Sequence, residues 1–285
     1  MKIAFSNIAW TAEQDEAALS LLERNLFDAV EIAPTRIYPE FPYSHIEGIQ
    51  SYAWSLREAH HLEICSMQSI WYGKTEKIFE SSQQQDLLLD HTNRAAQFAR
   101  AAGAKNLVFG CPANRSLPSG GSGITPDAKG STQLLCPMTQ EETALEKRFY
   151  YFINRMLEDT NLYFALEAVS PMYHTNYLNT TESVFEKVEA LRENGYEHIS
   201  VNLDLGTMIS EGSLPDLIRG RVALISHVHV SEPGLAPIQE REMHRQIVEI
   251  LKEEGYKGYL SVEMAKGADM EALERIMRYM GKLAY

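Results

Sequence analysis

Residues Ile225–Gly234 read ISHVHVSEPG. Successive side chains on a strand point to opposite faces, so His227 and His229 share one face with Ile225 while Val228 and Val230 share the other. An apolar strand that places two imidazoles on one face has a polar interior to serve. The neighbouring apolar runs show the same split. In LYFALEA (Leu162–Ala168), Phe164 and Leu166 oppose Tyr163, Ala165 and Glu167. In ISVNLDL (Ile199–Leu205), Val201 and Leu203 oppose Asn202 and Asp204, and in YLSVEM (Tyr259–Met264), Leu260 and Val262 oppose Ser261 and Glu263. Each has a β-branched or aliphatic face for packing under helices and a second face that ends in an ionisable group.

Four further runs precede these: KIAFSNI (Lys2–Ile8), AVEIA (Ala29–Ala33), EICSMQ (Glu63–Gln68) and NLVFG (Asn106–Gly110). Amphipathic stretches separate them. EQDEAALSLLERN supplies one, and QQQDLLLDHTNRAAQFARAAG ends at Gly103, a helix-stop residue. TQEETALEKRFYYFINRMLEDT opens with Thr139 and Glu142 three residues on, the capping-box spacing, and MEALERIMRYMG closes the chain's pattern. After the sixth strand a short helix is expected near Pro215–Ile218. Eight strands alternating with helices predict parallel strands joined by right-handed crossovers. The first βα turn lacks the glycine fingerprint of a dinucleotide site, so the expected fold is α/β, a single (β/α)8 TIM barrel over residues 1–285. Reactive groups then belong at the C-terminal ends of the strands. The segment Ser116–Met138, rich in Gly, Ser and Pro, is long for a βα loop and is expected to be flexible, as a surface insertion or as a lid over the barrel mouth.

Composition narrows the function. The 285 residues are 45% hydrophobic and 23% charged, an ordinary globular balance. The net charge of −13, from 39 acidic and 26 basic residues, argues against sequence-independent binding to nucleic acid or to anionic membranes. Three cysteines at positions 65, 111 and 136 make neither a disulfide framework nor a zinc-ribbon spacing. The N-terminal MKIAFSNIAW carries no signal-like apolar run, and no segment is long and apolar enough to span a bilayer, so a cytoplasmic location is expected. Homo-oligomerisation is left open.

On a barrel, Glu167, Asp204, His229 and Glu263 come from four consecutive strands and converge at the mouth. Three carboxylates and an imidazole cannot crowd together without compensation, because like charges raise each other's pKa and burial costs several kcal/mol per ion. A divalent cation resolves the conflict, and oxygen-rich ligands with one nitrogen suit Mn²⁺ or Mg²⁺, with Co²⁺ and Zn²⁺ as alternatives. His227, one step deeper, is expected to be a core histidine hydrogen-bonded to a neighbour. Gln68, Arg115, Asn176 and Glu232 are candidate substrate-binding residues, with Asn7, Glu31 and Ser231 as further hydroxyl partners. Arg36 and Lys74, like Arg115, follow strand ends and are read either as anchors for a phosphate or carboxylate or as ordinary surface charge. Trp10 and Trp71 are assigned to the core.

The segments FALEAVSP, VNLDLGT, HVHVSEP and LSVEM make the chain resemble the xylose isomerase-like TIM barrels, a group of sugar-phosphate isomerases and epimerases, ketose 3-epimerases, hydroxypyruvate isomerases, inosose dehydratases and, more distantly, endonuclease IV. SNIAW and FGCPANR resemble a bacterial subgroup of sugar phosphate isomerases/epimerases. The resemblance to ketose 3-epimerases implies that Glu167, Asp204, His229 and Glu263 hold the metal and that Glu167 and Glu263 also move substrate protons. It implies an isomerase or epimerase of carbohydrate metabolism, acting on a sugar, sugar phosphate or related polyhydroxy carbonyl compound by proton transfer through an enediolate. The alternatives are a metal-dependent dehydratase acting on a polyol or keto-sugar, and a sugar-binding barrel without turnover. Three positions depart from the pattern of relatives: Thr207 stands where many carry a His, Leu235 where ketose 3-epimerases carry an Arg, and Tyr173 where they carry a Glu. Their sugar specificity therefore does not transfer. Endonuclease IV-like enzymes need further His ligands from earlier strands; Gln68, Gly110 and Cys111 stand there instead, which argues against DNA repair.

Overall fold

The computed structural model describes residues 1–120, 124–126, 132–134 and 137–285. Eight parallel strands close into a barrel: β1 (Lys2–Ser6), β2 (Ala29–Ile32), β3 (Glu63–Met67), β4 (Asn106–Phe109), β5 (Tyr163–Glu167), β6 (Ile199–Asp204), β7 (Ile225–Ser231) and β8 (Tyr259–Glu263). Each pairs with the next in sequence, and β8 closes the ring against β1. The (β/α)8 expectation holds; β7 spans its whole apolar run, and the other seven strands end one or two residues short of theirs.

The outer ring consists of α1 (Asp15–Arg24), α2 (Ile46–His60), α3 (Ser82–Ala102), α4 (Gln140–Leu157), α5 (Thr181–Glu193), α6 (Leu205–Glu211), α7 (Glu242–Glu253) and α8 (Met270–Ala284). Local chemistry sets their ends. The Ser81 hydroxyl accepts from Gln84 N to start α3, and Gly103 at φ +83° stops it in a left-handed conformation that costs glycine little. Thr139 and Glu142 form the reciprocal capping box at the start of α4. After β6 a further helix precedes the short one expected near Pro215–Ile218. Helix α6 begins at once, at Leu205, because the Asp204 carboxylate caps it by accepting from Thr207 N at 2.6 Å. Pro215–Ile218 is a separate 3-10 turn further on.

The alternation seen in the sequence is the packing plan. Phe164, Leu166, Val201, Leu203, Val228, Val230, Leu260 and Val262 are all at most 1% exposed and join one core beneath the helices. Each such side chain contributes about 1.5–3 kcal/mol by leaving water. Helix α8 answers them with Leu273, Ile276, Met277, Met280 and Leu283, all buried at helical spacing. Inside the barrel, Ala4, Ala29 and Cys65 form a small separate apolar floor. Trp10 and Trp71 are core residues, 1% and 2% exposed, with Trp71 edge-on to Phe109 and Phe149.

Most of the loop expected to be flexible, 121–136, lies outside the described residues apart from two short backbone strands, Ile124–Pro126 and Thr132–Leu134, paired antiparallel. Its entrance is tied down: Leu117 N donates to Asn176 Oδ1 at 2.7 Å, and Ser119 N donates to Glu142 Oε1 at 2.9 Å. No helix among the described residues is long and apolar enough to cross a membrane.

Candidate metal centre

The inner face of the barrel carries the polar residues. Strand pairing puts Glu167 beside Asn202, Asn202 beside His227, Asp204 beside His229, and His229 beside Ser261. The four expected ligands are therefore not on one hydrogen-bonded row. Side-chain length makes up the difference, since Glu167 and Glu263 reach the His229 ring from different rows.

The Nδ1 atom of His229 lies 3.1 Å from Glu167 Oε2 and 3.2 Å from Glu263 Oε2. One ligand atom each from Glu167, Asp204 and His229 falls within a 4.8 Å cluster. Two atoms about 2.1 Å from one ion and at right angles to each other stand roughly 3 Å apart, so these spacings fit the edges of a coordination polyhedron. His229 is fully buried, while the Glu167 and Glu263 side chains are 14% and 12% exposed toward the cavity. Their Oε1 atoms make no hydrogen bond among the described residues, and that of Glu167 lies against Gly110.

The surroundings pin this arrangement. Asn202 Nδ2 donates to Glu167 Oε2 at 2.5 Å. The Ser231 hydroxyl donates to Asp204 Oδ2 and accepts from Gly206 N at 2.8 Å. Gly206 leaves room for this contact: a Cβ there would stand 2.9 Å from Ser231 Oγ and 3.0 Å from the Glu232 backbone. On the far side of His229, Nε2 lies 3.0 Å from Glu31 Oε2, and Ser261 Oγ donates to the same oxygen at 3.0 Å.

The electrostatics follow from this crowding. Burial, with Glu167 and Glu263 close by, pushes the Asp204 carboxyl up to about 7. Burial also raises Glu263, against the pull of His229. Glu31 behaves oppositely: burial opposes its charge, but His229 and His227 outweigh that and hold the carboxyl well below the usual range. Burial likewise disfavours the His229 cation, yet Glu31 and Glu263 raise it well above an ordinary histidine. The fold has placed excess negative charge around one nitrogen, the condition a divalent cation relieves.

The cavity at the barrel mouth has about 860 Å³ of space, counting the part open to solvent. Its lining includes Glu167, Asp204 and Glu263, together with Gln68, Ser231 and Glu232. Of the four substrate-binding candidates, Gln68 and Glu232 reach it. The Glu232 carboxylate, however, is held at both oxygens by Arg241, at 2.7 and 2.5 Å. Arg115 and Asn176 do not line it. Arg115 is fully buried and donates to the carbonyls of Phe109, Gly110, Glu167 and Leu178, so it clamps the ends of β4 and β5. Asn176 exchanges two hydrogen bonds with the Leu117 backbone. Both are expected from the sequence to face substrate, because a place near the barrel mouth is legible there while the direction of the side chain is not. Arg36 is likewise engaged, paired with Asp15 at 2.6 Å.

His227 is fully buried as expected, but neither ring nitrogen makes a hydrogen bond; its Nε2 lies 3.3 Å from Glu31 Oε1 in poor alignment. The expected hydrogen-bonded neighbour is not found. Sequence reasoning gave Asn202 no role, although its place on the inner face was legible, and it ranked Glu31 only as a hydroxyl partner. The three departures, Tyr173, Thr207 and Leu235, all line the cavity, with Ile8, Val169, Met172 and Pro233 as apolar neighbours.

A family model described as xylose isomerase-like TIM barrel matches residues 19–283. No curated protein sequence matches the chain. Among solved structures, 3-keto-D-glucoside 4-epimerase from E. coli superposes with a TM-score of 0.70 at 18% identity, covering 99% of both chains. D-allulose 3-epimerase from Methylomonas sp. gives 0.68 at 14% identity over 100% of this chain and 97% of its own. A protein described as the probable 3-DHS dehydratase of Bacillus anthracis gives 0.65 at 17% identity over 98% of each. At these identities the likeness establishes the fold and leaves the reaction to the site.

Proposed function

The chain belongs to the xylose isomerase-like TIM-barrel family, and from that premise we propose that it is a divalent-metal-dependent epimerase or isomerase of a keto-sugar or ketoglycoside. The observation that carries this reading is the pair of carboxylate oxygens, Glu167 Oε2 and Glu263 Oε2, held 3.1 and 3.2 Å from one imidazole nitrogen at the floor of an open cavity. Glu167, Asp204, His229 and Glu263 would hold the cation. When bound, it would polarise a substrate carbonyl and acidify the adjacent C–H bond.

The chain's own residues supply the rest. Glu167 and Glu263 come from β5 and β8, on either side of His229, so their free oxygens approach a substrate carbon from two directions. One takes the proton and the other returns it, which inverts the centre if the two act on opposite faces. Asn202 fixes Glu167 through its 2.5 Å hydrogen bond, and Ser231 fixes Asp204. Tyr173, Met172, Val169 and Leu235 form an apolar wall that limits water at the site.

No Lys or Arg among the described residues lines the cavity, which favours a neutral substrate over a phosphorylated one. The structural neighbours whose names specify 3-keto-D-glucoside and D-allulose epimerisation support the same substrate class. Incubating the manganese-loaded protein with D-allulose, D-fructose, D-tagatose and 3-keto-glucosides in D₂O tests the proposal. Deuterium at the carbon next to the carbonyl supports it. A product lighter by one water would identify a dehydratase, the second reading, which the likeness to the Bacillus anthracis protein favours. Binding without exchange or product would leave only a sugar-binding barrel.

A further inference from the structure

We propose that Glu31 is a positioning residue: it accepts the Nε2 proton of His229 and thereby fixes the ring with the Nδ1 lone pair aimed at the cation site, an inference that rests on the metal reading above. Glu31 lies on β2, three strands around the barrel from β7, and its side chain reaches His229 across the interior. It is fully buried, with Oε2 3.0 Å and Oε1 3.1 Å from His229 Nε2. An ionised carboxylate can only accept, so the proton in this contact belongs to Nε2.

The other ring nitrogen also meets carboxylates, but it alone has an amide donor beside it. Nδ1 faces Glu167 Oε2 and Glu263 Oε2, and the amide nitrogen of Asn202, a donor, lies 3.1 Å away. A lone pair on Nδ1 suits both the Asn202 donor and a cation bound between the carboxylates. Donation of the remote ring N–H to a carboxylate fixes the tautomer of a ligating histidine and raises its basicity.

Glu31 is itself held in place. Ser261 Oγ donates to Oε2 at 3.0 Å from β8, and His227 Nε2 flanks Oε1 at 3.3 Å from β7. A buried carboxylate without partners would be costly, and these contacts leave Glu31 committed to the His229 ring. The same atoms allow a competing assignment, because Glu31, His227 and His229 offer three ligand atoms within 4.8 Å of one another. The two assignments differ in one proton. A positioning carboxylate requires a hydrogen on His229 Nε2, and a deep ion on that nitrogen forbids it.

Nitrogen-15 NMR of protein labelled at histidine decides between them, with metal-free and zinc-loaded samples and His229→Gln to assign the ring. The expected result is a protonated Nε2 in both states, with Nδ1 shifting to a metal-bound position when about one equivalent of Zn²⁺ is added. Glu31→Gln, which keeps an accepting oxygen, should retain the Nε2–H signal and weaken Zn²⁺ binding only a few-fold. Glu31→Leu should lose the fixed tautomer and weaken binding roughly 10–100-fold. An unprotonated Nε2 in the zinc-loaded wild type, or tight uptake of a second equivalent, overturns the assignment even if every variant misfolds. If the wild type takes up no metal, the cation-site reading fails separately, and the Nε2–H signal of the metal-free protein still decides whether Glu31 holds the ring.

Discussion

A Cβ on Gly110 would stand 2.7 Å from Oε1 of Glu167, closer than such contacts occur, and its next neighbours lie at 3.7 and 3.9 Å. The glycine at the end of β4 therefore makes room for one carboxylate oxygen. Gly110→Ala should leave the barrel folded, because its one severe contact is the end of a flexible side chain. It should displace Glu167 and cost about 10-fold or more in metal affinity or turnover, the scale seen when a ligand's support is lost. Manganese titration alongside circular dichroism checks this; an alanine variant with wild-type affinity and turnover would remove the spatial role given to Gly110.

Arg115 should matter for stability more than for substrate affinity. Its guanidinium donates to four main-chain carbonyls in a fully buried position, with no carboxylate partner among the described residues. Arg115→Met leaves those acceptors unpaired and should cost about 3 kcal/mol or more in urea unfolding. A variant of unchanged stability but much higher KM would return Arg115 to the role of anion anchor that its sequence position suggests.

Two histidines outside the site set a pH dependence. Burial lowers His244 and His91 to about 4 from an ordinary 6.5. The unfolded chain then binds protons that these two folded sites refuse, so the stability they contribute is full above pH 6.5 and declines as pH falls toward 4, opposite in sign to the contribution of the raised Asp204 carboxyl. His244 also hydrogen-bonds Tyr279 OH through Nδ1 at 3.0 Å. His244→Gln should be less stable at pH 7 but should lose less on going to pH 4.5. Equal losses in variant and wild type, read from urea midpoints at the two pH values, would contradict a neutral buried His244.

Ligand and proton-carrier roles should separate by substitution. Glu167→Gln and Glu263→Gln keep an oxygen donor but remove the base, so each should retain some metal and lose turnover by about 10²-fold or more. His229→Ala should lose metal first, and excess Mn²⁺ should restore part of its activity. Metal content measured by elemental analysis on the same samples as turnover distinguishes the two patterns.

The barrel was legible because eight short apolar runs alternate with amphipathic stretches, and the converging acids were legible because four of those runs split by period two, so that a strand fixes which residues share a face. The Thr139 cap and the Gly103 stop follow from local chemistry alone, so they too could be read in advance. What escaped depends on distances between strands. Glu31 in AVEIA is one acid in an apolar run, and nothing local reveals that it reaches β7. Arg115 was placed correctly after a strand end and Asn176 near the mouth, but the turns of the backbone aimed them at carbonyls and amides. The capping of α6 by Asp204 was hidden for a different reason: LDLGT continues an apolar alternation past the residue where the strand ends.

The most direct test of the central claim is solvent-deuterium incorporation into a keto-sugar turned over by the protein, with and without stoichiometric Mn²⁺, in the wild type and in Glu263→Gln. The account predicts one deuterium at the carbon next to the carbonyl in the metal-loaded wild type. It also predicts none after chelation and at least a hundred-fold slower incorporation in the variant with metal bound. Wild-type exchange rates in metal-loaded Glu263→Gln, or full exchange in chelated protein, would contradict it.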